Sequence, residues 1–152
     1  MNYDVNNTGW LCAFTAETWS QAGSINYNQA ALPILRARAG SRMRPGNKIF
    51  AYVMKTKKIA GVLEVVGKAT INAEESKYGT LGEFPVVIPT NPIRIIQNGH
   101  WLEMEPLVGR LKLFRGLSDR KYWAAALRTT PRELSLTDSQ LLQILMQELP
   151  SL

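Results

Sequence analysis

Residues 48–54 and 59–66 are two β-rich runs joined by four polar residues, Lys55-Thr56-Lys57-Lys58, directly after the turn-forming Pro45-Gly46-Asn47. Apolar and β-branched runs bounded in this way pair as a hairpin, and the rest of the chain must fold around it. Upstream, Trp10-Leu11-Cys12-Ala13-Phe14 follows Asn6-Asn7-Thr8-Gly9 and reads as a buried strand in the middle of a sheet. Thr15 or Thr18 then caps a short helix carrying Glu17, Trp19 and Gln21, which Gly23 ends, and 24–28 is a loop.

The apolar spacing of Ala30, Leu32, Ile34, Leu35 and Ala39 predicts an amphipathic helix within 29–38, starting near Leu32 because Pro33 is tolerated only in a first turn. Residues 68–83 form a long polar loop, a kind of segment that is often functional in a small domain. Runs 84–88 and 93–96 are further strands, held to edges or strand starts by Pro85, Pro89 and Pro92, and Trp101, Leu102, Met104, Leu107 and Val108 continue the β pattern. Residues 129–135 read as a loop. Thr137 caps a last helix whose Leu141, Leu142, Leu145, Met146 and Leu149 share one face and pack on the sheet. The reading is an α+β domain spanning 1–152, irregular or disordered over 1–8, with five or six mostly antiparallel strands curled into a barrel and flanked by short helices.

At 152 residues such a chain buries enough surface to need neither disulfide nor structural metal. Cys12 is the only cysteine and His100 the only histidine, which argues against Cys/His zinc sites and paired-histidine chemistry. No metal or cofactor is therefore expected. The N-terminal 1–7 lacks the basic start and apolar core of a secretory signal, and no run approaches the roughly 20 apolar residues of a membrane span, so the expectation is a cytoplasmic protein without a membrane partner. Catalytic groupings are thin: His100 sits in a turn-like Asn98-Gly99-His100, and Glu74, Glu75 and Asp119 are only loose candidates for a titratable cluster. The expected activity is binding, not catalysis.

Eighteen Lys and Arg against twelve Asp and Glu give a net charge of +6, which favours a polyanionic partner. Half of the basic residues lie between Arg36 and Lys68, opposed there by Glu64 alone. Flat aromatic side chains are the complementary signal, because stacking on them holds a base at about 1 to 3 kcal/mol. Trp10, Phe14, Trp19, Tyr27, Tyr52, Tyr78, Tyr122 and Trp123 are the pool, and Tyr27 and Tyr78, in polar loops, have the least reason to be buried.

Four fragments in order complete the reading: Gly9-Trp10-Leu11-Cys12-Ala13-Phe14, Glu17-Thr18-Trp19, the stretch 44–53 beginning Arg44-Pro45-Gly46, and 58–65 containing Ile59-Ala60-Gly61-Val62. With the tail Tyr122-Trp123 through Arg128 and Pro131-Arg132-Glu133-Leu134-Ser135, they resemble the EVE domain, a PUA-like barrel related to the YTH readers of methylated adenine. The resemblance implies a pocket for one modified base flipped out of its strand. It would be built from the end of the first strand, the loop after the first helix and the loop after the hairpin. By position these are Phe14 and Thr15, then Ser24, Ile25, Asn26 and Tyr27, then the stretch Glu74 to Tyr78 with Tyr78 as its aromatic, and Trp10 and Trp123 are further aromatic candidates. YTH readers carry a tryptophan in the second segment, where this chain has Ile25 and Asn26 beside Tyr27. Arg42, Arg44, Lys55, Lys57, Lys58 and Arg128 would grip the flanking phosphates. The implied ligand is DNA with a methylated base, read for a modification-dependent restriction system in which a nuclease or NTPase domain or subunit acts. The alternative is a modified or structured RNA.

Overall fold

A computed structural model describes residues 8–152. The irregular segment expected at the N-terminus therefore lies, Thr8 apart, outside the described residues. The fold is α+β, a curled mixed sheet forming a half-barrel with helices packed on it. Strands β1 (Gly9–Phe14), β2 (Gln29–Leu32), β3 (Lys48–Val53), β4 (Lys58–Val65), β5 (Thr70–Ile71), β6 (Val86–Ile95), β7 (Leu102–Glu103) and β8 (Arg132–Leu134) alternate with helices α1 (Ala16–Ser24), α2 (Ala37–Arg42) and α3 (Leu136–Gln147). The sheet runs β2-β6-β4-β3-β1-β8, with β5 beside β6 and β7 beside β4.

The hairpin of β3 and β4 forms as the sequence predicts, with Lys57 in the left-handed region (φ 58°) at its turn and a register shift between Ala51 and Tyr52. β1 lies mid-sheet as expected, parallel to β3 from Gly9 opposite Lys48 to Phe14 opposite Val53, and antiparallel to β8. Both faces of these strands are covered, so successive residues feed two cores. Trp10, Cys12, Phe14, Ile49, Ala51 and Val53 face one, closed by Trp19 and Ala22 of α1. Leu11, Phe50 and Tyr52 face the other, closed by Leu142 and Met146 of α3 and by Trp123 and Leu127. That double burial is why 9–14 and 48–53 read as continuous apolar runs and not as alternating ones.

Several local readings change. Gln29–Leu32 is a strand paired with β6, not the start of a helix; Pro33 ends it with an extended backbone, and helical turns begin only at Ile34. β6 is one strand running through Pro89 and Pro92. It survives both prolines by changing partners: residues 86–89 pair with β2, residues 90–95 with β4, and the register shifts between Val62 and Leu63. After Trp101 only Leu102–Glu103 is strand, and Glu105–Leu107 is a 3-10 turn with Pro106 near its start. The expected loop 129–135 contains β8, and Ser135, not Thr137, caps α3 by accepting from the Asp138 N–H. Gly23 does not end α1. Asn26 and Tyr27 do, both in the left-handed region (φ 55° and 57°), with the Tyr27 N–H donating to the Ala22 carbonyl.

Candidate functional site

The C-terminal ends of β1 and β3 open into a cavity of about 90 Å³ lined by Ala13, Phe14, Thr15, Thr18, Ala31, Met54, Tyr78 and Phe84. β1 delivers Phe14 inward by alternation and stops at Thr15, which is the N-cap of α1. There Thr15 Oγ1 accepts from the Thr18 N–H at 3.0 Å while Thr18 Oγ1 accepts from the Thr15 N–H at 2.8 Å. Both hydroxyls at the mouth are thus committed to holding the helix. The Phe14 ring meets Trp19 edge-on at 5.2 Å between centroids and lies 6.3 Å from Tyr78. Trp19 in turn carries Tyr27 at 5.0 Å.

Tyr78 reaches this place because its loop is tied down. Its hydroxyl donates to the Gln29 carbonyl, Gln29 Oε1 accepts from the Lys77 N–H at 2.8 Å, and Gln21 Oε1 accepts from the Gly79 N–H at 3.0 Å. Burial, and then the neighbouring Tyr27, push the Tyr78 phenol well above its ordinary value, so it stays neutral and acts as a donor. Burial also raises the Tyr27 phenol. Met54, 41% exposed, stands at the rim. The pocket is smaller than the roughly 150 Å³ that encloses a benzene ring, so it has room for a small apolar group but not for a whole aromatic ring.

Of the residues singled out from the sequence, Phe14, Thr15 and Tyr78 meet in this pocket. Ser24 is exposed and donates to the Gln21 carbonyl at 2.7 Å, and Ile25 packs on the core. Asn26 and Tyr27 line a separate groove of about 330 Å³ with residues 92–95, Ser151 and Leu152. Trp10, 2% exposed, is a core residue whose indole N–H donates to Asn47 Oδ1 at 3.0 Å; strand alternation buries it. Trp123 belongs to the opposite core, edge-on to Phe114 and Tyr52, with Lys57 Nζ 5.8 Å above its ring. Neither tryptophan reaches the pocket.

The cations divide in the same way. Lys55 and Lys57 sit on the turn beyond Val53 and Lys58 begins β4, at the pocket end of the sheet, where Lys58 is 4.0 Å from Glu103. Arg128 closes a 3-10 stretch just before Thr130, whose hydroxyl accepts from the Ala13 N–H at 3.1 Å, so it too lies at this end. Arg42 and Arg44 sit at the other end of β1 and β3, beside Thr8 and Asn47, where Arg42 pairs with Glu133 at 2.7 Å. Six residues of strand separate the two ends, about 20 Å.

Sequence reading missed Ala13, Thr18, Ala31, Met54 and Phe84. Phe84, an aromatic after a Gly-containing polar loop, carried the signal that singled out Tyr78; small side chains such as Ala13 and Ala31 carry none. Among the described residues no group of three or more His, Cys, Asp or Glu side chains could hold a metal ion, and no helix is long and apolar enough to cross a membrane.

No protein-family model matches the chain. It is 24% identical over 143 residues to UPF0310 protein PH1033 of Pyrococcus horikoshii, covering 83% of this chain and 92% of that one. Among solved structures it superposes on the Pho92 YTH domain in complex with m6A with a TM-score of 0.68 at 11% identity, covering 96% of this chain and 91% of that one. The Toxoplasma CPSF4 YTH domain, in complex with a 7-mer m6A-modified RNA, matches with a TM-score of 0.67 at 13% identity, covering 96% and 95%. The chain therefore has the fold of the YTH domains.

Proposed function

We propose that this chain is an EVE-type, PUA-like binding module that reads a methylated base of a nucleic acid and carries out no chemistry on it. The observation that carries the reading is the convergence of Phe14, Tyr78, Phe84 and Met54 on one small apolar pocket at the end of β1, within a fold shared with m6A-bound YTH domains. The quoted fragments lie on β1, α1, β3 and β4; of these, β1, α1 and the residue after β3 line the pocket. An alkyl group entering the cavity leaves water for aromatic and methyl walls, worth about 0.8 kcal/mol per buried carbon, and the base ring stacks at the rim. Because Thr15 and Thr18 are committed to the helix cap, discrimination rests on the fit of the alkyl group. Lys55, Lys57, Lys58 and Arg128 supply the cationic margin on which flanking phosphates lie.

The likeness to a YTH domain solved with an m6A-modified RNA favours RNA over the DNA of a restriction system that the sequence suggested. Competition binding with matched methylated and unmethylated RNA and DNA oligonucleotides, at two salt concentrations, tests both parts. The expected result is a methyl-dependent preference that persists at high salt and is larger on RNA; equal affinity for all four would overturn the reading.

A further inference from the structure

The end of the sheet remote from the pocket holds a second assembly of donors. Thr8, Ser41, Arg42, Arg44, Asn47 and Glu133 line a groove of about 420 Å³, which adjoins through Ser41 and Arg44 a second hollow bordered by Lys68. Asn47 is the informative residue, because it is 2% exposed and its amide orientation is fixed. Oδ1 accepts from the Trp10 indole N–H at 3.0 Å and from the Arg44 backbone N–H at 3.0 Å. Both donors require an oxygen there, so Nδ2 carries the two N–H groups, and these have no partner among the described residues. A buried amide donor left unpaired is costly, and Asn47 lines its groove together with Arg42 and Arg44, a donor set suited to an oxyanion.

We propose that this groove binds a phosphate group of a nucleic-acid backbone, with Asn47 Nδ2 and Arg44 as its donors and Arg42 recruited from Glu133. Arg42 is half-exposed and held over the Trp10 ring at 5.5 Å by its bond to Glu133, so the carboxylate occupies the guanidinium until a phosphate displaces it. At 3.4 Å per stacked nucleotide, the 20 Å between the two ends corresponds to about six nucleotides of one strand. A strand anchored in the pocket would thus be gripped a second time. The inference shares with the preceding reading only the class of ligand, since this groove contacts backbone and no base.

The test follows the Asn47 side-chain amide and Trp10 indole NMR resonances in the ¹⁵N-labelled full chain. Inorganic phosphate and an abasic deoxyribose-phosphate decamer are titrated separately at constant ionic strength. Neither probe carries a base, so the outcome is independent of the pocket. Saturable shifts at both resonances are expected, with the decamer binding more tightly than inorganic phosphate. Asn47→Asp keeps both accepted hydrogen bonds and removes the donor, and should weaken binding at least tenfold. Glu133→Gln, which weakens the hold on Arg42, should tighten it several-fold. Absence of saturable shifts, equal binding by wild type and Asn47→Asp, no tightening in Glu133→Gln, or binding of inorganic phosphate without the decamer would each overturn the proposal.

Discussion

Filling the pocket without harming the fold separates its proposed role from its structural one, and Ala31 is the position at which to do so. Ala31 lies on β2 opposite Val87 and presents its methyl group to the cavity, between the buried Ala30 and Leu32 that face the core. Ala31→Leu adds three carbons. At roughly 30 Å³ for a water-sized group, these occupy most of the 90 Å³ available. Full burial of three carbons is worth about 2.4 kcal/mol at about 0.8 each, and at this half-buried site about 1 kcal/mol is realised. For a domain of this size that raises Tm by about 2 to 4 °C. The alkylated edge of a base is then shut out, and losing one stacked base at about 1 to 3 kcal/mol lowers affinity about 5- to 150-fold. Fluorescence anisotropy on methylated and unmethylated oligonucleotides, paired with thermal unfolding, reads both numbers. A variant with unchanged or raised Tm that still prefers the methylated strand at wild-type affinity would refute the assignment of the pocket.

Further outcomes follow from the same geometry. Thr15→Ala removes the acceptor for the Thr18 N–H and should cost about 1 kcal/mol in urea unfolding. Gly61→Ala would place a Cβ 3.1 Å from the Arg94 carbonyl oxygen and from the Trp19 ring, on which Phe14 and Tyr27 rest; a loss of about 1 to 3 kcal/mol is expected by the same method. Burial pushes the Cys12 thiol up to about 12, so a thiol reagent at pH 8 should label it only in denaturant. Because the folded chain keeps that proton after the unfolded chain has lost it, stability should fall from about pH 9 towards pH 12, by up to about 1.4 kcal/mol per pH unit for this group, and Cys12→Ala should remove that share. Replacing Lys55 and Lys57 with alanine should reduce the slope of log affinity against log salt by about 1.4 on a single strand, measured over a salt series.

What could be read from the chain depended on whether the cause was local. The β3–β4 hairpin and the Thr15 cap arise from neighbours in sequence, and β1 shows its mid-sheet place through a continuous apolar run; the structure has all three. β2 could not be read that way: Gln29–Leu32 carries helix-compatible residues and becomes a strand only because β6 offers it an edge. β6 hides behind Pro89 and Pro92, which are admitted by a change of partner that no local pattern records. Trp10 and Trp123 look like stacking platforms in the sequence and are core residues in the fold, one tied to Asn47 and the other set among Tyr52 and Phe114. The stretch from Arg36 to Lys68 looks like one cationic track. Strand length splits it, with Arg42 and Arg44 at one end of β3 and Lys55 to Lys58 beyond the other.

The most direct test of the central claim is an intermolecular NOE measurement on the chain bound to a short RNA containing one N6-methyladenosine. Contacts from the N-methyl protons to the methyl groups of Ala31 and Met54 and to the rings of Phe14 and Tyr78 are the expected result. N-methyl contacts to any other part of the surface, with those residues unperturbed, would contradict it.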